Sequence, residues 1–274
     1  MTPPVTVELF TIGNEILIGD IQDTNTHWLC KEINQLGGYV ARAIVLRDID
    51  AVIVAELRAA LERGTHVIIT SGGLGPTADD LTLAAVARGA GVGLRLHEQA
   101  LRMIKQRYDE LAGQGILAQG GLNPAREKMA WFPEGAVPLH NPVGTAPGVL
   151  LQTGQTTIIS LPGVPSELKG IFSSSLQPFL QSTFQCGISV IRTITVQCND
   201  ESLMEPVLTR VTQDHPSVYI KSLATTLGEM RDLEIILTAV GSDRSVLDAL
   251  LEAAVKDLRE GLTALGIVHG EKGK

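Results

Sequence analysis

The chain's chemistry is best sought in three short stretches that mix glycine with acids or amides. "TSGGLGPTADDLT", residues 70–82, places Gly72, Gly73 and Gly75 ahead of Asp79 and Asp80. Glycines that follow an apolar run let backbone N–H groups face an anion. Carboxylates beside a bound phosphate repel it unless a cation lies between them, and oxygen-only ligands suit a hard divalent ion such as Mg²⁺. A second reading of the same residues is local. Thr77-x-x-Asp80 has the spacing of a capping box, with Asp where Glu or Gln is usual. Acids at a helix start also suit its dipole. The spacing matches neither G-x-x-x-x-G-K-[ST] nor G-x-G-x-x-G.

"GNEILIGDIQDTNT", residues 13–26, supplies Glu15, Asp20 and Asp23. Asp23 or Thr24 reads as the cap of the next helix. Glu15 has no such role, because Ile16-Leu17-Ile18 follows it, and it joins Asp79 and Asp80 as a candidate catalytic and metal-holding acid. The third stretch is a pair of loops, "HNPVGTAPG" (140–148) and "LPGVPSE" (161–167). Here Asn141, Gly144, Thr145, Gly163 and Ser166 are candidate ligand contacts, alongside Thr77 and the three glycines. Pro165 and Ser166 sit where a helix would begin, so free N–H groups there face either an anion or only a turn. Three such loops together point to a phosphate-bearing ligand. The histidines are scattered. His66 and His97 read as structural, and no close His pair suggests a transition metal.

The elements that must position these loops alternate. Strands are expected at 5–10, 39–46 and 66–70, and helices at 24–38, 50–64 and 80–89, with Asp50 as an N-cap. This βαβαβα order implies a mostly parallel sheet with helices on both faces, whose ligands bind beyond the carboxyl ends of the strands. A helix near 97–112, a Gly-rich connection at 113–124, two strands within 148–163 and a helix at 165–172 follow. Composition shifts near 184–190, so residues 1–184 read as one α/β domain. Residues 185–274 read as a small α+β domain of order β-α-β-β-α, about 85 residues of ordered chain.

Bulk composition narrows the function classes. With 44% hydrophobic and 19% charged residues the chain is globular. A net charge of −8 without a long basic run disfavours sequence-independent nucleic-acid binding. Cys30, Cys186 and Cys198 form no C-x-x-C pair. The first ten residues lack the pattern of a signal peptide, and no apolar run nears the ~20 residues of a membrane span. A soluble cytoplasmic protein is the expectation.

"GNEILIGDIQDTN", "TSGGLGPTADDLT", "NPVGTAPGV" and "LPGVPSELKGIF" together resemble, in order and spacing, the N-terminal region of the competence/damage-inducible CinA family. That region is similar to the MoaB/Mog-like molybdopterin-binding domains of molybdenum-cofactor biosynthesis. The resemblance covers about residues 5–175 and implies a three-layer α/β/α sandwich. It also implies divalent-metal-dependent hydrolysis of the ADP-ribose diphosphate to AMP and ribose 5-phosphate, with Asp80 serving the nucleotide chemistry. The second domain resembles that family's KH-like segment. "GEMR" (228–231) is no G-x-x-G clamp, so RNA binding does not follow. Two residues depart from the family pattern. Asn14 stands where Asp is common, and Ala78 where a basic residue or His is common. The nicotinamide-nucleotide deamidase domain of full-length relatives is expected to be absent, since the chain ends at "IVHGEKGK". The alternatives to a hydrolase are a molybdopterin-binding or transfer protein and a non-catalytic nucleotide sensor. A homodimer formed through the second domain is expected.

Overall fold

A computed structural model describes residues 5–184, 188–198, 200–223 and 233–271. The chain divides into two compact units, residues 1–34 with 38–184, and residues 35–37 with 185–274.

The first unit begins β1 (Thr6–Ile12), α1 (Asn14–Leu17), α2 (Thr24–Gln35), β2 (Tyr39–Leu46), α3 (Asp50–Glu62), β3 (Val67–Ser71) and α4 (Thr82–Ala90). It continues with β4 (Leu94–Leu96), α5 (Glu98–Gly113), α6 (Pro124–Lys128), β5 (Trp131–Pro133), β6 (Val137–Leu139), β7 (Gly148–Thr153) and β8 (Thr156–Leu161). It closes with α7 (Pro165–Ile171), which runs through a π-turn at Phe172–Leu176 into α8 (Gln177–Thr183). The sheet order is β2-β1-β3-β8-β7-β6. The ladders joining β2, β1, β3 and β8 are parallel, and those joining β8, β7 and β6 are antiparallel.

Strands β3 and β8 are buried at every residue, and β1 at every residue after Thr6. Both faces of these strands are covered, so each carries an apolar cluster, Leu9-Phe10, Val67-Ile68-Ile69 and Ile158-Ile159, with buried Thr, Ser and, in β1, Glu8 beside it. Phe10, Ile12, Ile68 and Ile158 pack in one core with Ile53 and Leu57 of α3, Ala85 and Val86 of α4 and Ile104 of α5. Their alternates Val7, Leu9, Ile69, Ile159 and Leu161 are equally buried, and Leu29, Ile33, Leu168, Leu176 and Leu180 supply the helical cover on that side. Each such side chain contributes about 1.5–3 kcal/mol when fully buried. The result is the three-layer α/β/α sandwich with a mixed, mainly parallel sheet.

Helix ends follow local chemistry. Gly91, with φ of 72°, ends α4 in the left-handed region. His97 caps α5 by accepting from the Ala100 N–H at 3.3 Å. His66 is also structural, its Nδ1 lying 2.8 Å from the Thr6 hydroxyl. The expected cap of α3 is corrected: Ile49 occupies the N-cap without a side-chain bond. Asp50 is the first helical residue and its carboxylate pairs with Arg88 across to α4. Helix α4 starts at Thr82, two residues later than the periodicity suggested, because 77–80 forms a separate turn closed by Asp80 N–H to Thr77 O at 3.3 Å.

The second unit contains β9 (Ile188–Val196), α9 (Glu205–Asp214), β10 (Tyr219–Leu223), β11 (Leu233–Gly241), α10 (Arg244–Ala264) and β12 (His269–Glu271). Its antiparallel sheet has the order β10-β11-β9-β12. Ile194, Ile235 and Leu237 pack against Val211 of α9 and Leu251, Leu258 and Leu262 of α10. The order agrees with the expected β-α-β-β-α set, with β12 added beside β9. Residues 228–231 and Cys186 lie outside the described residues. Among the described residues no helix is long and apolar enough to cross a membrane.

Candidate functional site

Loops after β1, β3 and β8 meet at the carboxyl edge of the parallel strands around a cleft of about 540 Å³. Glycine makes the meeting possible. Gly72 has φ of 105°, and a Cβ there would overlap the Ile12 carbonyl at the end of β1. Gly163 lies on Gly72, where a Cβ would come within 3.4 Å of the Gly72 Cα. A Cβ on Gly75 would lie 2.6 Å from the Asp80 carboxylate. At Gly72, where backbone meets backbone at positive φ, glycine is demanded by packing as much as by any ligand.

The N–H groups of the loop are unequal. Gly72 N–H donates to Leu161 O at 2.9 Å, which removes it from the expected phosphate cradle. The N–H groups of Gly73 and Gly75 make no hydrogen bond among the described residues and remain as donors for an anion.

The acids are disposed in two ways. Asp23 caps α2, as one reading had it: Oδ1 accepts from Thr26 N–H at 3.0 Å, while Oδ2 takes the Thr11 and Thr26 hydroxyls at 2.9 and 2.6 Å. Asp48 accepts from Asn14 N–H at 2.7 Å. Asp80 Oδ2 accepts from both the Thr77 N–H at 2.9 Å and the Thr77 hydroxyl at 2.5 Å. The Thr77–Asp80 pair thus forms, but it braces the turn before α4 rather than capping the helix. Asp79 is exposed, and hydrogen bonding from Thr77 and its own N–H holds its carboxyl below the usual range. Glu15 is exposed and folds back on Gly13, where a Cβ would overlap its carboxylate.

Six carboxylates line the cleft: Glu15, Asp23, Asp48, Asp79, Asp80 and Glu167. Among the described residues no Lys, Arg or His lines it. A built-in cation beside the acidic turn is Lys128, at the end of α6, which faces an adjoining hollow. Its ammonium donates to Asp80 O at 2.8 Å and to Thr77 O, with Gly75 O at 3.5 Å. Burial lowers the Lys128 pKa, against the opposing charges of Asp80 and Asp79. Lys128 therefore fastens the backbone of the acidic turn and leaves the carboxylates themselves to solvent or ligand.

Of the residues expected from sequence, Glu15, Gly72, Gly73, Gly75, Asp79, Asp80, Thr145 and Gly163 line the cleft. Thr77, Asn141, Gly144 and Ser166 do not. Thr77 serves Asp80. Asn141 is buried: its Oδ1 accepts from Val143 and Gly144 N–H at 3.0 and 2.8 Å, and its Nδ2 donates to Ala146 O and Glu167 Oε2 at 2.8 and 2.7 Å. Gly144 leaves room for the Glu167 carboxylate, which a Cβ would overlap. Ser166 is exposed on α7, and its neighbour Glu167 takes the place at the cleft.

Neither departure from the family pattern touches the cleft directly. The Asn14 side chain accepts from Arg47 at 3.4 Å, and Ala78 is exposed beyond the lining. Sequence reasoning missed Asn25, Asp48, Glu167 and Lys128. Only Glu167 had a local signal, its position two residues after the Pro that starts α7.

No group of three or more His, Cys, Asp or Glu among the described residues forms a ready metal cage. The donors present are hard carboxylate oxygens, among them those of the exposed Asp79 and Oδ1 of Asp80, whose Oδ2 is taken by Thr77. Such a set fits a hard cation that takes one or two carboxylates and completes its shell with phosphate oxygens.

An open, doubly covered α/β sheet with a glycine loop and acids at its carboxyl edge places a cleft where such sheets bind their ligands. Residues 8–182 match the family described as "probable molybdopterin binding domain". The chain belongs to that family, and within it is similar to the CinA N-terminal region. A crystal structure of the protein CinA, of unknown function, from Thermoplasma acidophilum is 37% identical with a TM-score of 0.58, covering 65% of this chain and 98% of that one. A Pyrobaculum arsenaticum protein is 40% identical over 214 residues, 78% of each chain. A Pyrobaculum calidifontis protein is 37% identical over 256 residues, covering 93% of this chain and 95% of its own.

Proposed function

We propose that the cleft binds a phosphate-bearing small molecule of the molybdopterin or nucleotide type, together with a divalent cation. The observation that carries this is the pairing of free N–H donors at Gly73 and Gly75 with six lining carboxylates and no lining base. An anion entering such a cleft alone meets a field of its own sign. Entering with Mg²⁺ or a similar ion, it meets complementary groups at both its phosphate and its metal. Asp79, Asp80 and Glu15 are the residues that would hold the ion, which would neutralise phosphate charge. Equilibrium binding of molybdopterin and of ADP-ribose, each competed against the other, tests the reading: competition for one site is expected, and saturable binding of neither overturns it.

A second reading goes further: hydrolysis of the ADP-ribose diphosphate, in which water adds across the P–O–P link to give AMP and ribose 5-phosphate. It is favoured by Asp79, an exposed acid kept ionised at the rim of the glycine loop. The protein's part would be to orient the diphosphate on Gly73 and Gly75 and to hold charge at Asp79 and Asp80. Release of AMP from ADP-ribose by wild type, lost in Asp79→Asn, is expected. Tight binding without AMP release would instead identify a sensor. Association into a homodimer is also proposed, and a monomeric mass in solution scattering at micromolar concentration would count against it.

A further inference from the structure

The cleft lining presents two kinds of group. Gly73 and Gly75 offer N–H donors, whereas the edge formed by α2 and the start of α7 offers acceptors at Asn25 and Glu167. Asn25 is only 7% exposed there. Its Nδ2 donates to Gly163 O at 2.8 Å, and its Oδ1 is buried without a partner among the described residues. Because the amide nitrogen is committed to a carbonyl, the group cannot turn over to relieve its oxygen. Glu167 stands at the same edge. Asn141 holds its Oε2 at 2.7 Å, and Oε1 has no hydrogen-bond partner among the described residues. A buried acceptor left unpaired carries a desolvation penalty that a ligand donor removes.

We propose that Asn25 and Glu167 form a specificity-determining subsite that reads paired hydrogen-bond donors on the ligand. The vicinal diol of a ribose and the amino and ring N–H edge of a pterin share this chemistry. This inference rests on the proposed phosphate-ligand reading.

A purely structural Glu167 would only tie the 141–146 loop to α7. Glu167→Gln separates the roles, because a Gln carbonyl still accepts from Asn141 while its amide presents a donor to the cleft. Calorimetric titration of wild type and Glu167→Gln, with Mg²⁺ present, would use inorganic pyrophosphate, ADP, 2′,3′-dideoxy-ADP and 6-hydroxymethylpterin diphosphate. Pyrophosphate is expected to bind both proteins equally. Glu167→Gln should weaken ADP or the pterin diphosphate by about tenfold or more, the loss tied to a charged hydrogen bond. A loss for ADP that dideoxy-ADP does not share assigns the diol, and a loss for the pterin diphosphate assigns the N–H edge. Equal affinities of the two proteins for ADP and for the pterin overturn the proposal, as does a parallel loss for pyrophosphate or for dideoxy-ADP. Wild type that binds none of the four overturns the phosphate-ligand reading itself, before any variant is compared.

Discussion

At the amino end of the parallel sheet, Glu8 of β1 is 2% exposed and surrounded by compensation. Arg63 meets it through two bonds at 2.9 and 2.6 Å, Thr65 donates at 2.6 Å, and Arg42 lies 3.9 Å away. At the carboxyl end, six carboxylates line a cleft into which no basic side chain among the described residues projects. One edge gives its acid a counter-ion, while the other gives most of its acids neutral hydrogen-bond donors and, among the described lining residues, no counter-ion. Folding explains the first arrangement, because a buried charge needs a partner. It does not require the second. In the proposed function this accumulation of like charge at the strand ends would be complemented by a cation.

Substitutions can break or sharpen this contrast. The largest effect is expected at Glu8's partner. Arg63→Met leaves a buried carboxylate short of its counter-ion and should lower unfolding free energy by about 2–3 kcal/mol in urea titration, the range reduced because Arg63 is partly exposed. The pH dependence follows from the same pair. Burial pushes the Glu8 pKa up, but the bonds from Arg63 and Thr65 and the charges of Arg63 and Arg42 outweigh it and hold the pKa below the ordinary glutamate value. A depressed carboxylate contributes stability above the unfolded-state value and loses it as pH falls through the folded-state value. Stability should therefore drop in acid, and Glu8→Gln should flatten that limb of the curve.

At the cleft, Asp80→Asn keeps only part of the Thr77 brace and should cost about 1 kcal/mol. Asp79→Asn removes an exposed acid and should leave the urea unfolding midpoint nearly unchanged, while weakening binding of a metal-complexed diphosphate. A stabilisation by Asp79 as large as that of the Glu8 pair would erase the distinction between the two edges.

Much of this architecture was legible from side-chain pattern. The apolar cores Val67–Ile69 and Ile158-Ile159 mark strands buried on both faces, and Leu29 with Ile33 marks the buried stripe of α2. Short elements were not legible. α1, β4, α6, β5 and β6 have three to five residues each, too few for a period to register. Glycine spacing pointed to loops that line the cleft, yet it did not show that the Gly72 N–H goes to Leu161 or that Gly144 makes room for Glu167. Those roles depend on residues 89 and 23 positions away in the chain, paired only by the fold. Lys128 is equally silent in sequence, since it reaches carbonyl oxygens, which every residue carries.

The central claim is that the cleft's acids make anion binding depend on a divalent cation. Calorimetric titration of ADP-ribose into the wild-type protein, in Mg²⁺ and then in excess chelator, tests it most directly. Saturable binding in Mg²⁺ that falls by at least about a hundredfold in chelator is predicted, a difference of about 2.7 kcal/mol. Equal affinity in the two buffers would contradict it.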